Sequence, residues 1–202
     1  MDTIGTLHNK LLFNRRAEIL AERFASLLPH NASVLDIGCG DGLVSSIVQA
    51  KRPDLTIRGV DVLPRRESHI PVEMFDGVQV PYPDGAFDVV LFSDVLHHTE
   101  NPGALQREAY RLARQYVLIK DHNRNGLFAG LRLRLMDWAG NARFGIALPY
   151  NYWTKARWQE EWSCIGLQPE RSVTRLHLYP PPVDWVFGAK LHFITLLRKA
   201  LV

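Results

Sequence analysis

Apolar and polar positions alternate between two patterns over the first 122 residues, one typical of strands and one of helices. Short continuous apolar runs are typical of buried strands, whereas apolar residues three and four positions apart indicate helices. The predicted strands are SVLDIG (33–38), LTIRGVDV (55–62), VEMFDGV (72–78), FDVVLFSDVL (87–96) and YVLIKDH (116–122). The predicted helices are 7–28, 42–52 and 101–114. This alternation favours a mostly parallel sheet with helices on both faces.

The pattern changes after residue 122. About 25 residues of another kind precede a predicted helix at 154–166. Two further strands are predicted at 172–179 and 191–201, joined by a proline-rich connection that suits an antiparallel pair at one sheet edge. We therefore predict a single α/β domain: a doubly wound, Rossmann-like, seven-stranded, mostly parallel sheet with an antiparallel last strand and helices on both faces.

Composition and charge narrow the classes of protein that fit. The chain has 202 residues, 47% of them hydrophobic and 22% charged, and its formal net charge is +3. That charge is too small to indicate nucleic-acid binding. Cys39 and Cys164 have neither metal-site nor disulfide spacing, and we expect no metal. The first residues lack a secretion signal, and no apolar run is long enough to cross a membrane. We expect a cytoplasmic protein.

A glycine-rich loop, VLDIGCGDG (34–42), joins the first strand to the next helix. In such sheets this end of the strand faces the ligand crevice, and the helix begins there with unpaired N–H groups. Glycines at 38, 40 and 42 let a flat ligand lie against the backbone. Asp36 and Asp41 flank the turn, which disfavours a diphosphate and favours a ligand that carries positive charge.

Two more carboxylates follow at the ends of the next strands. Asp61 closes the second strand about twenty residues past the glycines, where a carboxylate can accept both hydroxyls of a ribose. Asp76 follows the third strand and can accept from an adenine amino group, with the Gly77 backbone beside the ring. Together with Asp36, these residues predict a site for an adenosine with a cationic tail.

The motifs VLDIGCGDG, GVDV and FDVVLFSDVLHHTENP resemble the strand-end motifs of class I S-adenosylmethionine-dependent methyltransferases, in particular the small-molecule type 11 group. The resemblance covers about residues 30–122 and the antiparallel last strand. It implies transfer of a methyl group from S-adenosylmethionine to a small, apolar or aromatic acceptor, with release of S-adenosylhomocysteine. The glycine turn that the family often has before the fifth strand is missing from RLARQYVLIKDH (111–122).

The resemblance also implies which residues bind the cofactor. The loop after the first strand would hold the methionine part, the second strand end the ribose, the third the adenine, and the fourth the methyl end. An arginine of the N-terminal helix would pair with the cofactor carboxylate. These residues are Asp36, Gly38, Cys39, Gly40, Gly42, Asp61, Val62, Asp76, Gly77, Ser93, Asp94 and Arg15.

On the same basis we divide the domain into four segments. Residues 1–30 form a helical cap, and residues 31–122 form the cofactor-binding half. Residues 123–165 form a lid or acceptor insertion, and residues 166–202 supply the C-terminal antiparallel strands.

Histidines after the fourth and fifth strands are the candidate catalytic groups. His97 and His122 are each placed to take a proton from an acceptor hydroxyl or amine. The alternative is that these histidines pack and hydrogen-bond around the loop or line the acceptor site. Adjacent His97 and His98 point apart, which disfavours their ligating one metal. A methyl acceptor that is already a good nucleophile needs positioning more than acid–base help.

The segment 124–158 is the distinctive part of the chain. One predicted helical face is apolar and arginines surround it; the residues are Leu127, Leu131, Leu135 and Trp138, with Arg124, Arg132, Arg134 and Arg143. Three interpretations remain: a lid helix with exposed arginines, a lid over an apolar acceptor, or shallow contact with an anionic membrane surface. Tyr150, Tyr152 and Trp153 suit either acceptor stacking or core packing.

Two other functions remain open. One is a methyltransferase-like protein that binds the cofactor without turnover. The other is a nicotinamide-dependent oxidoreductase, although its G-x-G-x-x-G fingerprint differs from the G-x-G-x-G found here. Turnover distinguishes the first alternative, and titration with reduced dinucleotide distinguishes the second. The expected partner is a small-molecule acceptor, and the sequence does not indicate an oligomeric state.

Overall fold

A computed structural model describes residues 3–63, 65–141, 149–188 and 190–200. The strands are β1 (Ser33–Ile37), β2 (Thr56–Asp61), β3 (Val72–Met74), β4 (Phe87–Ser93), β5 (Ala113–His122), β6 (Leu167–Val173) and β7 (His192–Lys199). The helices are α1 (Thr3–Leu27), α2 (Leu43–Lys51), α3 (Pro102–Leu112), α4 (Ala129–Asn141) and α5 (Lys155–Ile165). A 3₁₀ turn, Leu96–His98, and a π-helical turn, Asp184–Gly188, complete the elements used below.

The seven strands form one sheet in the order β3-β2-β1-β4-β5-β7-β6. Strands β1 to β5 are parallel, whereas β7 runs antiparallel to both of its neighbours, β5 and β6. The predicted fold class is therefore confirmed. Because the parallel strands all end at the same edge, the polar residues that follow β1, β2, β4 and β5 are brought together there.

Helix ends follow the local signals in the sequence. Asn101 caps α3 by accepting from the Ala104 N–H at 3.0 Å, and Pro102 opens the helix. The Thr154 side chain caps α5, and Gly166 ends it in the left-handed conformation with φ 87°. Helix α3 ends at Leu112 and β5 begins at the next residue, so the missing glycine turn corresponds to a direct helix-to-strand junction.

The prediction for the sixth strand was wrong. It placed the strand at 172–179, whereas β6 occupies Leu167–Val173 and starts immediately after the Gly166 cap. Only Leu167 is buried in β6, because this is the edge strand and most of its side chains face solvent. The buried residues Leu176 and Leu178, which suggested a strand, pack in the core from the connection that follows.

Two apolar layers cover the faces of the sheet. One, containing Trp158 and Trp162 of α5, packs with Phe92 and Phe193 of the sheet. The other sets Phe24 of α1 against the opposite face. The layers hold the strands rigidly, so the side chains at their carboxyl ends are positioned by the fold. Among the described helices, none combines the length and hydropathy that a bilayer crossing requires.

Candidate functional site

The glycine loop after β1 has three residues in the left-handed region, Gly38, Gly40 and Gly42, with φ of 74°, 61° and 75°. A Cβ on Gly38 would lie only 2.6 Å from Val95 Cγ2, so this glycine permits close packing of the turn after β4. The space beside Gly40 is open, since the nearest atom to a Cβ there is Arg65 Nη2 at 4.0 Å. The backbone at Gly40 is therefore accessible to a ligand.

Asp61, the last residue of β2, ties the loop to the second strand. Its carboxylate accepts from the Gly40 N–H and from the Leu63 N–H, each at 2.8 Å. The side chain is buried, while the next residue, Val62, is exposed. Asp61 therefore lies at the glycine loop with Val62 beside it.

Asp36 is buried within β1 and interacts electrostatically with Asp61. Its Oδ2 accepts from the Ser45 hydroxyl at 2.6 Å, whereas Oδ1 has no hydrogen-bond partner among the described residues. Burial, together with the nearby Asp61 charge, raises the pKa of Asp36 to about 7 despite the Ser45 bond. Asp36 thus offers an acceptor oxygen without a hydrogen-bond partner among the described residues. A cationic ligand nearby would favour the charged form of this carboxyl group.

Asp76 lies two residues beyond β3 and is exposed. Its Oδ1 accepts from the N–H groups of Val78 and Gln79, each at 2.8 Å, and these bonds lower the pKa of the carboxyl. Gly77 approaches the second strand end, since a Cβ on it would lie 3.3 Å from Val62 Cγ1. The structure thus brings Asp36 and Asp61 together, whereas the hydrogen bonds of Asp76 are local.

Cys39 lies inside the loop and is partly buried, with its Sγ 3.6 Å from the Gly40 carbonyl oxygen. Burial raises the pKa of the thiol, and the charges of Asp36 and Asp61 raise it further. A thiol held in the protonated form is a packing group rather than a nucleophile.

A buried group of charges lies where β4 and β5 end. Asp94 follows β4 in the left-handed conformation, with φ 61°, and its carboxylate binds Lys120 Nζ and the Arg16 guanidinium. Ser93, half-buried, precedes it and pairs with Lys120 across the strands. Burial alone would raise the pKa of Asp94, but Lys120 and Arg16 outweigh it and hold the pKa well below its usual range. Lys120 is fully buried, and burial lowers its pKa.

The N-terminal helix reaches this group through Arg16, whereas Arg15 is exposed. The residue predicted for the cofactor carboxylate, Arg15, is one position away from the arginine that binds Asp94. Successive helical residues point about 100° apart, so Arg15 and Arg16 lie on different sides of the helix.

Asp121 of β5 binds two histidines. Its Oδ1 lies 2.7 Å from His97 Nδ1 and 3.3 Å from His122 Nδ1, and its Oδ2 accepts from the Leu96 N–H at 3.1 Å. Burial would raise the pKa of Asp121, but the two rings outweigh it and the pKa is lowered. Burial, followed by the Lys120 charge, lowers the pKa of His122, so its ring is neutral at pH 7.

The two imidazoles are surrounded by other aromatic rings. His122 Nε2 is buried and has no hydrogen-bond partner within the described part of the chain. The Tyr152 ring covers both imidazoles, stacked on His97 at 5.5 Å and edge-on to His122 at 5.9 Å. His98 packs against His97 at 4.0 Å. Both predicted catalytic histidines therefore lie together beneath one tyrosine.

Four of these residues, Asp94, His97, Asp121 and His122, present potential metal ligands within 4.8 Å of one another. This group was not predicted from the sequence, because its members come from two strand ends and a turn. Lys120 and Arg16 already neutralise Asp94, and a divalent cation would lie close to both of them. On that balance of charge we assign no metal here.

The predicted lid begins with α4, whose inner residues Ala129 and Leu133 are buried against Tyr152. The Tyr152 hydroxyl donates to the Leu133 carbonyl at 3.3 Å. Trp153 instead packs on Trp158 of the core, with ring centroids 4.8 Å apart. Arg143, one of the arginines expected around the lid, lies outside the described residues.

Three residues of the site were missed from the sequence: Arg16, Lys120 and Asp121. Lys120 and Asp121 could have been found from the sequence, because they end an otherwise apolar strand. Charged residues in such a buried strand almost always have partners. Arg16 has no such signal, because the residues of α1 alone do not show which arginine meets a strand end 78 positions away.

Curated proteins similar to this chain include two methyltransferases. The 27-O-demethylrifamycin SV methyltransferase of Amycolatopsis mediterranei is 31% identical over 110 residues, 47% of this chain and 40% of that protein. The 2-methyl-6-phytyl-1,4-hydroquinone methyltransferase of Synechocystis sp. is 27% identical over 138 residues, 63% of this chain and 38% of that protein. The alignments thus span less than half the length of these relatives.

Solved structures share the fold. The 1,6-didemethyltoxoflavin-N1-methyltransferase of Burkholderia thailandensis, with bound 1,6-didemethyltoxoflavin and S-adenosylhomocysteine, superposes with a TM-score of 0.68 at 16% identity. The match covers 99% of this chain and 86% of that one.

A family model described as a methyltransferase domain matches residues 9–171, which is most of the chain and includes the glycine loop, the buried charges and both histidines. The resemblance seen in the strand-end motifs is thereby confirmed, together with S-adenosylmethionine as the cofactor of the family. The chain belongs to the methyltransferase domain family, within the class I S-adenosylmethionine-dependent methyltransferases.

Proposed function

We propose that this chain transfers the methyl group of S-adenosylmethionine to a small, apolar or aromatic acceptor and releases S-adenosylhomocysteine. The observation that carries the proposal is the juxtaposition of two sets of residues at one sheet edge. The glycine loop with Asp36 and Asp61 is suited to the cofactor, and the histidines held by Asp121 are suited to the acceptor.

The residues at the first two strand ends fit the cofactor. The free Oδ1 of Asp36 and the open backbone at Gly40 suit a ligand with a cationic end and a flat nucleoside. Asp61 would bind the ribose and Val62 would pack on the adenine, with Asp76 and Gly77 at its outer edge. When bound, S-adenosylmethionine supplies an electrophilic methyl group on a sulfonium.

At the fourth strand end, Ser93 and Asp94 would line the methyl end of the site. We assign the role of the cofactor-carboxylate partner to Arg16 rather than Arg15. Its present partner Asp94 is also bound by Lys120, so Arg16 can turn to a ligand while Asp94 stays neutralised.

His122 is our choice for the group that accepts a proton from the acceptor. Its Nε2 is buried without a partner, its lowered pKa keeps the ring neutral, and Asp121 fixes the opposite nitrogen. His97, bound more tightly to Asp121, would position that carboxylate and form a wall of the acceptor site. A neutral imidazole in a site closed to water is a competent general base near pH 7.

The acceptor would enter beside Tyr152. This ring occupies the face of His97 on which a flat acceptor would stack, so binding requires Tyr152 to move with the lid, residues 123–165. An aromatic or apolar acceptor fits such a place, since its neighbours are aromatic rings and the buried Leu133. The names of two relatives, which act on a rifamycin and on a phytyl hydroquinone, agree with an acceptor of this class.

The test is turnover with labelled S-adenosylmethionine and a panel of phenols, hydroquinones and aryl amines, with S-adenosylhomocysteine as the readout. Methylated product from at least one aromatic acceptor supports the proposal. Tight binding of S-adenosylhomocysteine without turnover on any acceptor would instead support a protein that only binds the cofactor. Free thiols at Cys39 and Cys164 agree with a cytoplasmic setting for the reaction.

A further inference from the structure

Helix α4 is apolar on two opposite faces. Ala129, Leu133 and Met136 face inward and pack with Tyr152, as expected for a helix that covers a domain. On the other side a second apolar stripe faces solvent. In α4 the exposed fractions are 58% for Leu131, 51% for Leu135 and 63% for Trp138. Leu127 and Phe128, just before the helix, are 78% and 68% exposed. An exposed apolar stripe of this length often marks an interaction site, so the outer stripe calls for a partner.

The outer stripe is continuous along the helix. Leu131, Leu135 and Trp138 are spaced four and three residues apart, which places them on one side of a helix with 3.6 residues per turn. On the same helical geometry, Arg132 and Arg134 flank this stripe on its two sides. Arg134 is exposed, and its guanidinium also lies over the Tyr150 ring, 5.5 Å from the centroid.

A second exposed apolar segment adjoins α4. Val183, Trp185 and Val186 of the π-helical turn and its approach are 43%, 72% and 48% exposed. The two segments are linked by the Tyr179 hydroxyl, which donates to Met136 Sδ at 3.3 Å. Asp184, the acidic residue of the turn, is directed inward and accepts from the Tyr179 N–H. The exposed Lys190 lies just beyond the turn.

We propose that the exposed apolar side chains of these two segments form one surface that binds an anionic lipid bilayer at its interface. The residues of this surface are Leu127, Phe128, Leu131, Leu135, Trp138, Val183, Trp185 and Val186. The chemistry is that of interfacial helices: Leu, Phe and Trp insert to the level of the headgroups while flanking arginines meet lipid phosphates. Negative charge on the bilayer complements Arg124, Arg134 and Lys190, which outnumber Asp137, the acidic residue in the sequence of α4. The nearby Asp184 is withdrawn from the surface. This charge complementarity favours a bilayer over a neutral apolar partner.

The proposed bilayer-binding surface lies on the opposite side of α4 from the candidate acceptor site. The inner face of α4 packs on Tyr152, which covers His97 and His122, so a bilayer on the outer face would lie beside the acceptor entrance. An apolar acceptor dissolved in lipid would then have a short route to the histidines. This last step rests on the proposed function, whereas lipid binding itself does not.

The experiment is flotation of the intact chain with vesicles of phosphatidylcholine, either alone or with about one third phosphatidylglycerol as anionic lipid. We expect binding to the anionic vesicles that weakens as salt is raised, and much weaker binding to the neutral ones. The triple variant Leu131→Ser/Leu135→Ser/Trp138→Ser should lose about tenfold or more in partitioning. Met74→Ser, an equally exposed apolar residue on β3, should bind as the parent does.

Charge is tested separately. Arg134→Glu should weaken binding to anionic vesicles about fivefold or more, and Arg23→Glu, an exposed arginine on α1, should have no such effect. Circular dichroism and thermal unfolding confirm that each variant is folded. The proposal is overturned if the triple variant binds like the parent, or if the parent does not bind anionic vesicles. It is also overturned if sedimentation finds a dimer that the triple variant abolishes, since a second copy would then cover this surface.

Discussion

Oδ1 of Asp121 lies 2.7 Å from Nδ1 of His97, and the two side chains are each only 1% exposed. The same oxygen lies 3.3 Å from Nδ1 of His122, so a single carboxylate orients two imidazoles. Both rings are thereby held with Nε2 directed away from Asp121, as when a carboxylate fixes the tautomer of a histidine.

The first prediction concerns His122. If its Nε2 accepts the acceptor proton, His122→Gln should lower kcat by about 10²–10⁴-fold, because general-base catalysis contributes in that range. Affinity for S-adenosylhomocysteine, measured by calorimetry, should stay unchanged. In the pH dependence of kcat, the apparent pKa on the acidic side should lie below 6.5, the ordinary histidine value, since the pKa of His122 is lowered. His30→Gln, at an exposed histidine, is the control. Equal kcat in His122→Gln and the parent would remove His122 from the mechanism.

The second prediction concerns Asp61. Asp61→Ala should weaken binding of S-adenosylhomocysteine by about 1–3 kcal/mol, the range for losing hydrogen bonds to a charged group. The carboxylate also holds the Gly40 N–H, so part of the loss will come from a looser glycine loop. Calorimetry measures the change, and Asp84→Ala, at an exposed aspartate paired with Arg111, serves as the control. An affinity equal to that of the parent would show that Asp61 does not contact the ligand.

The third prediction follows from the raised pKa of Asp36. With a pKa of about 7 in the folded protein and 3.8 as the ordinary value, the folded state keeps a proton that the unfolded state releases between these pH values. The free energy of unfolding from this group therefore falls as pH rises from 4 to 7 and is level above that.

Asp36→Asn removes this dependence. Its stability relative to the parent should increase by about 2–3 kcal/mol between pH 5 and pH 8, as measured by urea unfolding at both pH values. Asp84→Asn, at the exposed position, should show the same difference from the parent at both. A constant difference for Asp36→Asn as well would mean that Asp36 titrates normally in the folded protein.

The fourth prediction concerns the buried pair of Asp94 and Lys120. Asp94→Asn keeps the shape of the side chain and tolerates the left-handed backbone, but it leaves Lys120 without its counter-charge. We expect a loss of about 3 kcal/mol in the free energy of unfolding, since an unpaired buried charge is strongly destabilising.

The double variant Asp94→Asn/Lys120→Met should recover more than half of that loss, because no ammonium remains to be buried. Glu160→Gln tests the contrast, because its pair with Arg157 is exposed and screened by solvent, so its loss should change the free energy of unfolding little. Chemical denaturation of the four proteins gives the comparison. If the double variant were as unstable as the single one, the destabilisation would not come from the charge on Lys120.

The sequence predicted most of the sheet because its signals there are local. Strands β1, β2 and β4 are buried apolar runs, and α3 carries its own cap at Asn101, so their ends were placed within a few residues. The edge strand β6 was misplaced because exposed positions give no burial pattern, and its limits are set by pairing with β7.

For the candidate site, local motifs identified the glycine loop, Asp61 and the two histidines, since each follows a recognisable strand. They could not identify the network that joins them. The bond from Arg16 to Asp94 spans 78 positions, and the contact of Lys120 with His192 spans 72, so both depend on strand order. Adjacent Arg15 and Arg16 become distinguishable only when the helix is docked.

The strand order also constrains how the protein is made. Strand β6 is synthesised before β7 but pairs with it at the edge of the sheet, and β7 is the element that bridges β6 to β5. In a chain emerging from the ribosome, the edge of β5 that pairs with β7 therefore has no partner strand until β7 has been translated. The side of β5 that β7 covers includes Lys120, which is fully buried in the complete fold. Nascent chains stalled before residue 192 should thus expose a strand edge that invites pairing with other chains, and they are the species most in need of a chaperone.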